Sequence, residues 1–324
     1  MGDVAMSVPV LRAFTEQYPD VKLTVVSRAF FEPFFKDLKQ VDFYAADLKG
    51  EHKGILGLYK LSKTLKAIGF DAVADLHNVL RSKILKFFFG SKQVVQIDKG
   101  RAEKKALTTG RSFEQLKTTH QRYADVFEKL GLPIDLSKPS FPEKAVLSSD
   151  LQSYMSSSEK QSIGIAPFAA HQSKMYPLEQ MEAVIAQLAK HYHIILFGGG
   201  RKEVEYLKTV EGKFDDVHSV AGTLSLEEEL AIISNLDVML SMDSGNGHLA
   251  AMLGVKVISV WGVTHPYAGF APFNQPNDYA LVADRTQYPQ IPTSVYGNKF
   301  PEGYKQAAGS ISVADIVSKV ESIL

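Results

Sequence analysis

Ser241-Met242-Asp243-Ser244-Gly245-Asn246-Gly247-His248-Leu249-Ala250-Ala251 is the stretch on which the reading of this chain turns. It continues an apolar run of strand length that begins at Val238, passes through two glycines and enters an apolar helix. A strand feeding a helix through a glycine turn is the building unit of a doubly wound parallel sheet. Gly245 and Gly247 let backbone N–H groups approach a ligand at a helix N-terminus, where partial positive charge favours phosphate. The same residues also fit a plain capped turn, with Asp243 or Ser244 as N-cap. His248, an imidazole on an otherwise apolar helix start, suits phosphate contact or a satisfied core position.

Outward from this unit, the second half of the chain repeats the scheme. Strands are expected at 162–166, 193–197, 217–220, 238–242 and 257–261, with helices beginning at Leu178, Arg201, Ser225 and Gly247. Residues 264–308 read as irregular, and a helix over 313–324 closes the chain. The first half alternates in the same way. Helices are expected over 4–18, 30–38, 55–68, 79–89 and 120–130, and strands over 23–26, 41–45, 72–76 and 94–97. A stretch rich in Ser, Pro and Lys through Ser158 reads as the linker. The sequence therefore predicts an α/β protein of two doubly wound domains, residues 1–150 and 159–324, with the C-terminal helix packing back on the first domain. Ligands of such sheets bind beyond the carboxyl ends of the strands, so a cleft between the domains is the expected site.

Composition narrows the function. The 324 residues carry 36 basic and 36 acidic side chains, so no bulk charge draws the chain to nucleic acid. With no Cys, disulfides, thiolate metal sites and Cys nucleophiles are closed. No apolar run reaches membrane-span length, and Met1-Gly2-Asp3 lacks the basic and apolar regions of a signal peptide, so a cytoplasmic protein is expected.

Four further segments bear on chemistry. The loop Ala166-Pro167-Phe168-Ala169-Ala170-His171-Gln172-Ser173-Lys174-Met175-Tyr176-Pro177 is too long for a plain turn, and Lys174 is either a phosphate-neutralising ammonium or a solvated loop lysine. Asp3 stands directly before a helix, where it is either an N-cap or a general base. Phe197-Gly198-Gly199-Gly200-Arg201-Lys202-Glu203 lacks the Gly-x-Gly-x-x-Gly spacing, so NAD is rejected. The basic run 99–105 reads as a solvated loop, or as a contact for an anionic acceptor through Arg101, Lys104 and Lys105. The nine His show no metal-ligand spacing, and no metal or cofactor is expected.

Taken in order, these segments resemble glycosyltransferase family 9, the ADP-heptose:lipopolysaccharide heptosyltransferases. Gly2-Asp3-Val4 is similar to that family's first motif, Asp243-Ser244-Gly245-Asn246-Gly247-His248 to its Asp-(Ser/Thr)-Gly-x-x-His signature, and Gly262-Val263-Thr264 to the Gly-x-Thr that follows. The resemblance implies a GT-B fold, with the acceptor bound by the N-terminal domain and the nucleotide sugar by the C-terminal one. It implies inverting, metal-independent transfer of a sugar, heptose from ADP-heptose, to a lipopolysaccharide-core or related acceptor. By the same resemblance Asp3 is the general base, Lys174 binds phosphate together with Ser173 and residues 244–248, Asp243 holds donor-sugar hydroxyls, and Glu203 and Leu224 contact ribose and adenine. An anionic glycan or glycolipid acceptor implies contact with the inner leaflet of the membrane.

Two departures from the family stand out. Ala169 and Ala170 occupy positions where small hydroxyl residues are common, leaving fewer phosphate contacts. The family also begins with a strand before Gly-Asp. A doubly wound sheet without its central strand leaves unpaired backbone groups and an apolar hole, so the natural protein is expected to carry a strand upstream of Met1. A degenerate sugar-nucleotide-binding protein and a GT-B epimerase are the competing readings.

Overall fold

The computed structural model describes residues 1–155 and 160–324. The chain forms two compact units. The first comprises Met1, Asp3–Lys99 and Thr119–Ser140, and the second Gly2, Gly100–Thr118 and Phe141–Leu324. The end of the expected linker and the first residue of the expected second domain, 156–159, lie outside the described residues.

Packing explains why 100–118 and 141–150 join the second unit. Leu116 N–H donates to the Tyr267 carbonyl at 2.9 Å, and the Lys104 ammonium lies 4.1 Å from the centre of the Phe270 ring. Phe141 lies so close to Gly254 that a Cβ there would meet its ring at 2.8 Å, and Gly254 holds φ +83°, a conformation open to glycine.

In the first unit the elements run α1 (Gly2–Ala5), α2 (Val8–Gln17), β1 (Leu23–Ser27), β2 (Val41–Ala45), α3 (Gly54–Ile68), β3 (Ala72–Asp75), α4 (Leu80–Phe89) and β4 (Gln93–Gln96). The helix expected over 4–18 is broken at Met6-Ser7, because Pro9 has no N–H to give and restarts the helix in its first turn. The helix expected over 30–38 is a 3-10 helix, Ala29–Phe35, with Pro33 inside it. As the doubly wound pattern requires, these strands are parallel and alternate with helical segments. They form two separate parallel pairs, β1 with β2 (Leu23 opposite Val41) and β3 with β4 (Ala72 opposite Gln93). α3 and α4 cover the second pair through Leu58, Leu61, Leu65 and Phe89, packed with Val73 and Val94.

The basic run read as a loop is a helix, α5 (Arg101–Thr108), in the second unit, and α6 (Thr119–Glu128) returns to the first. Phe127 of α6 stacks obliquely on Phe14 of α2 at 4.7 Å.

The second unit continues with α7 (Ser149–Gln152), β5 (Ser162–Ala166), α8 (Leu178–Leu188), β6 (His193–Leu196), α9 (Arg201–Glu211), β7 (Val217–Ser219), α10 (Leu226–Ser234), β8 (Val238–Met242), α11 (Gly245–Met252), β9 (Lys256–Trp261), β10 (Ala280–Val282) and α12 (Val313–Glu321). Its six parallel strands lie in the order β10-β9-β8-β5-β6-β7. Every residue of β5, β6 and β8 is buried, as apolar runs covered by helices on both faces require. β10, within the stretch read as irregular, adds an edge strand of three residues. α12 belongs to this unit's own core, where Ile316 and Val320 join Ile163 and Leu240.

Candidate active site

Strand order decides where a ligand can sit in the second unit. β5 begins the sheet, β6 and β7 build out on one side, and β8, β9 and β10 on the other. The chain therefore leaves the sheet in opposite senses after β5 and β8, and the crevice beyond their carboxyl ends is a topological switch point. Two residues singled out from the sequence meet there. Lys174, at the end of a 3-10 turn (Gln172–Lys174) after β5, places its ammonium 2.9 Å from Oδ2 of Asp243, which follows β8. Both side chains are largely shielded from solvent, 15% and 7% exposed, so each charge depends on the other. Thr264, beyond β9, donates its hydroxyl to the same Oδ2 at 2.8 Å. Three adjacent strands thus meet at a single carboxylate, which follows β8 and takes one partner from beyond β5 and one from beyond β9.

The loop that carries Lys174 is clamped. Ser173 is buried, its hydroxyl donates to the Gly297 carbonyl, and its own carbonyl accepts the Val263 N–H at 3.2 Å. Gly262 runs so close that a Cβ would lie 2.2 Å from the Ser173 carbonyl oxygen. Gly297, at φ +80°, lies against the Lys174 stem, which a Cβ there would meet at 2.6 Å. Ser173 is therefore spent on fixing the loop, a role different from the phosphate contact expected of it. The 294–298 turn is an element that sequence reading missed, since Ser294, Gly297 and Asn298 look like any loop.

α11 starts beside the pair. Ser244 has N-cap geometry, φ −146° and ψ 177°, yet its side chain caps no N–H, and its buried hydroxyl makes no hydrogen bond. A plain capping turn would have used that oxygen. An unsatisfied buried hydroxyl at a helix N-terminus is a polar group waiting for a partner. Gly247 is accounted for by packing, since a Cβ would meet the Ser241 hydroxyl at 2.6 Å. Asn246 is half-buried and His248 buried in the same first turn.

Glu203 and Leu224 follow β6 and β7, at the same edge of the sheet. The Glu203 carboxylate accepts the N–H groups of Gly199 at 2.9 Å and Gly200 at 3.3 Å, which makes it the internal cap of α9. Leu224 is half-buried just before α10.

In the first unit, Asp3 is the second residue of α1, and the helix starts on the Met1 carbonyl, so the N-cap reading of Asp3 fails. Its side chain is exposed, while its backbone carbonyl accepts the Tyr123 hydroxyl at 3.1 Å. Burial pushes the Tyr123 phenol up, and the Asp3 carboxylate adds to the rise. Desolvation lowers the His77 pKa, and Asp3 opposes it. His77 stands at the end of β3, where its N–H and that of Asn78 bind Asp75 Oδ1 at 3.0 and 2.8 Å. Burial raises the Asp75 pKa, but the Asn78 N–H and the Gln96 amide more than offset it, and the carboxyl stays below its ordinary range. Asn78, held at φ 42°, has a buried Oδ1 with no hydrogen bond. Sequence reading took 72–76 as a buried strand and passed over this polar turn. The signal was there in Asp75, His77 and Asn78, three polar residues at the carboxyl end of a strand.

Of the three basic candidates in α5, Lys104 is buried on Phe270, and Arg101 and Lys105 are exposed.

Comparison with known proteins then assigns the family. The description "Glycosyltransferase family 9 (heptosyltransferase)" matches residues 58–296. The chain belongs to glycosyltransferase family 9. This family 9 transferase is 25% identical over 285 residues to a lipopolysaccharide core heptosyltransferase, OpsX, of Haemophilus influenzae, spanning 85% of this chain and 79% of the relative. It is 25% identical to lipopolysaccharide heptosyltransferase 1 of Campylobacter coli, over 82% of each chain. Its fold is similar to a family 9 glycosyltransferase from Veillonella parvula, with a TM-score of 0.77 at 19% identity over 100% of this chain and 94% of that one. The Escherichia coli heptosyltransferase WaaC with ADP gives a TM-score of 0.68 at 20% identity over 100% and 97%. The fold of the family 9 transferase is GT-B, and its chemistry is glycosyl transfer. Among the described residues no helix is long and apolar enough to cross a membrane.

Proposed function

We propose that this family 9 transferase moves heptose from ADP-heptose to a lipopolysaccharide-core or related glycan acceptor, with inversion at the anomeric carbon and without a metal. The observation that carries the reading is the Lys174–Asp243 pair beside the unsatisfied Ser244 hydroxyl at the start of α11. In the reaction, the acceptor oxygen forms a bond to the anomeric carbon as the bond from that carbon to the diphosphate breaks. The acceptor proton passes to the Asp3 carboxylate, and negative charge gathers on the departing diphosphate. Lys174, the N–H groups of 245–247 and the Ser244 hydroxyl meet that charge, the work a cation would otherwise do. Asp243 keeps the ammonium aimed until the donor arrives, and its Oδ1, which neither Lys174 nor Thr264 uses, is open to a sugar hydroxyl. The named relatives act on lipopolysaccharide or its core, and a related structure holds ADP, which supports this donor and acceptor class.

Calorimetric titration with ADP, UDP and GDP tests the donor. ADP is expected to bind best and to weaken at least about tenfold in Lys174→Ala, the loss of one charge-assisted contact. If UDP or GDP binds best, heptose transfer from ADP-heptose is wrong. Asp3→Ala is expected to keep ADP affinity while losing turnover, and retained turnover would remove Asp3 as base.

A further inference from the structure

α3 and α4 carry six charged residues, Lys60, Lys63, Lys66, Arg81, Lys83 and Lys86, and all are cations. In a chain with equal numbers of acidic and basic residues, that segregation makes one strongly positive face. The same helices expose apolar side chains that the core does not use. Leu56 is 79% exposed, Leu80 74%, Phe87 81% and Tyr59 44%. Single exposed apolar residues are ordinary, but these adjoin. α3 packs on α4 through Leu58, Leu61 and Leu65. On the outer side Tyr59 meets Phe88 edge-on at 5.4 Å, and Phe88 meets Phe87 at 5.7 Å, so an aromatic chain joins the two helices. Leu56 lies one turn before Tyr59 and Lys60, and Leu80 and Lys83 precede Phe87 by seven and four residues on the same stripe of α4. Apolar side chains interleaved with lysines, with no carboxylate among them, match the surface of an anionic bilayer. Rings and leucines enter the headgroup boundary while the lysine stems lie along it and their ammonium groups meet phosphates.

We propose that the α3–α4 face docks this protein on an anionic lipid bilayer. The basic run 99–105, which the sequence offers to an anionic acceptor, is poorly suited to this docking, since Lys104 is buried over Phe270. The proposal does not depend on the donor reading, because vesicle binding is measured without turnover.

The test is co-sedimentation of the full chain with phosphatidylcholine vesicles and with vesicles containing about a third phosphatidylglycerol. Binding is expected only to the second and is expected to fall as salt is raised. Lys63→Glu/Lys83→Glu should weaken it more than about twentyfold, from about fivefold per cation removed. Leu56→Asp/Phe87→Asp, at positions open to solvent, should weaken it at least about tenfold, the loss of two apolar insertions. Arg101→Glu/Lys105→Glu should leave it unchanged. No binding to phosphatidylglycerol, equal binding to both vesicles, or loss in the Arg101/Lys105 variant alone overturns the proposal. So does a patch that serves self-association, shown by a dimer in sedimentation that Phe87→Asp dissociates while vesicle binding persists. Should the aspartate variant fail to fold, the lysine reversal, confined to exposed side chains, decides the matter alone.

Discussion

The two units are written in the same alternation of strands and helices, yet they close differently. The second joins six strands into one sheet, and β5, β6 and β8 are buried at every position. The first has four strands in two separate pairs, and β1 alternates between half-buried and exposed, with Val26 40% exposed. A parallel strand buried on both faces holds its place by apolar area as well as by its ladder, whereas a strand in an isolated pair has fewer neighbours to lose. The clamped Lys174 loop, with Ser173, Gly262 and Gly297 in close contact, sits on the edge of the second unit's sheet.

The largest expected effect probes this difference directly. Leu240→Ala, in the centre of the second sheet, should cost about 3–5 kcal/mol, and Val26→Ala in the first unit less than about 0.5 kcal/mol, read as shifts in chemical denaturation. Equal losses would break the comparison. Next comes function: Lys174→Ala should lower kcat/KM by about 100- to 1000-fold, or about 3–4 kcal/mol, through lost leaving-group stabilisation. Asp3→Asn, on the first unit, should lower kcat with KM for the donor unchanged. A donor KM that rises in Asp3→Asn would mean that the units do not divide the work in this way.

Acid provides a third probe, confined to the second unit. His265 is buried, and desolvation lowers its pKa to about 4, helped by the charge of Arg285. Its unfolded value is about 6.5, so above that pH the folded and unfolded chains hold the imidazole alike, neutral. Between about 6.5 and 4 the unfolded chain takes a proton that the folded one refuses, and stability falls with falling pH by up to about 3 kcal/mol. His265→Gln should flatten that slope in a melting series, and an unchanged slope would place the acid sensitivity elsewhere. The smallest effect sharpens the role of Glu203. Removing the α9 cap in Glu203→Ala should cost about 1 kcal/mol of stability without ligand. A further fall in ADP affinity at constant stability would be needed to make it a ribose contact.

Much of this architecture was legible residue by residue. The bounds of β2, β5 and β8 coincide with the strands expected: β5 and β8 because strands buried on both faces are built from apolar and small residues, and β2 because Val41, Phe43 and Tyr44 keep a strand-like run despite Asp42. The Asp243–His248 turn and the Lys174 loop were visible as polar residues between strand and helix. α5 was not, because its buried side comprises little more than Leu107 and the stem of Lys104, and a lysine that covers an aromatic ring reads as a surface charge. β10 was missed because three half-buried residues at a sheet edge carry no period.

The sequence by itself determined the alternation of elements, the βα turn at 241–251, the absence of cysteine chemistry and the residues able to bear charge, since each follows from local side-chain type and spacing. Only tertiary structure decided that Lys174, Asp243 and Thr264 share one carboxylate oxygen, that Ser173 is tied to Gly297 and that Ser244 keeps an unspent hydroxyl. Those facts depend on which strands become neighbours, and strand order is set by non-local packing that no window of sequence contains.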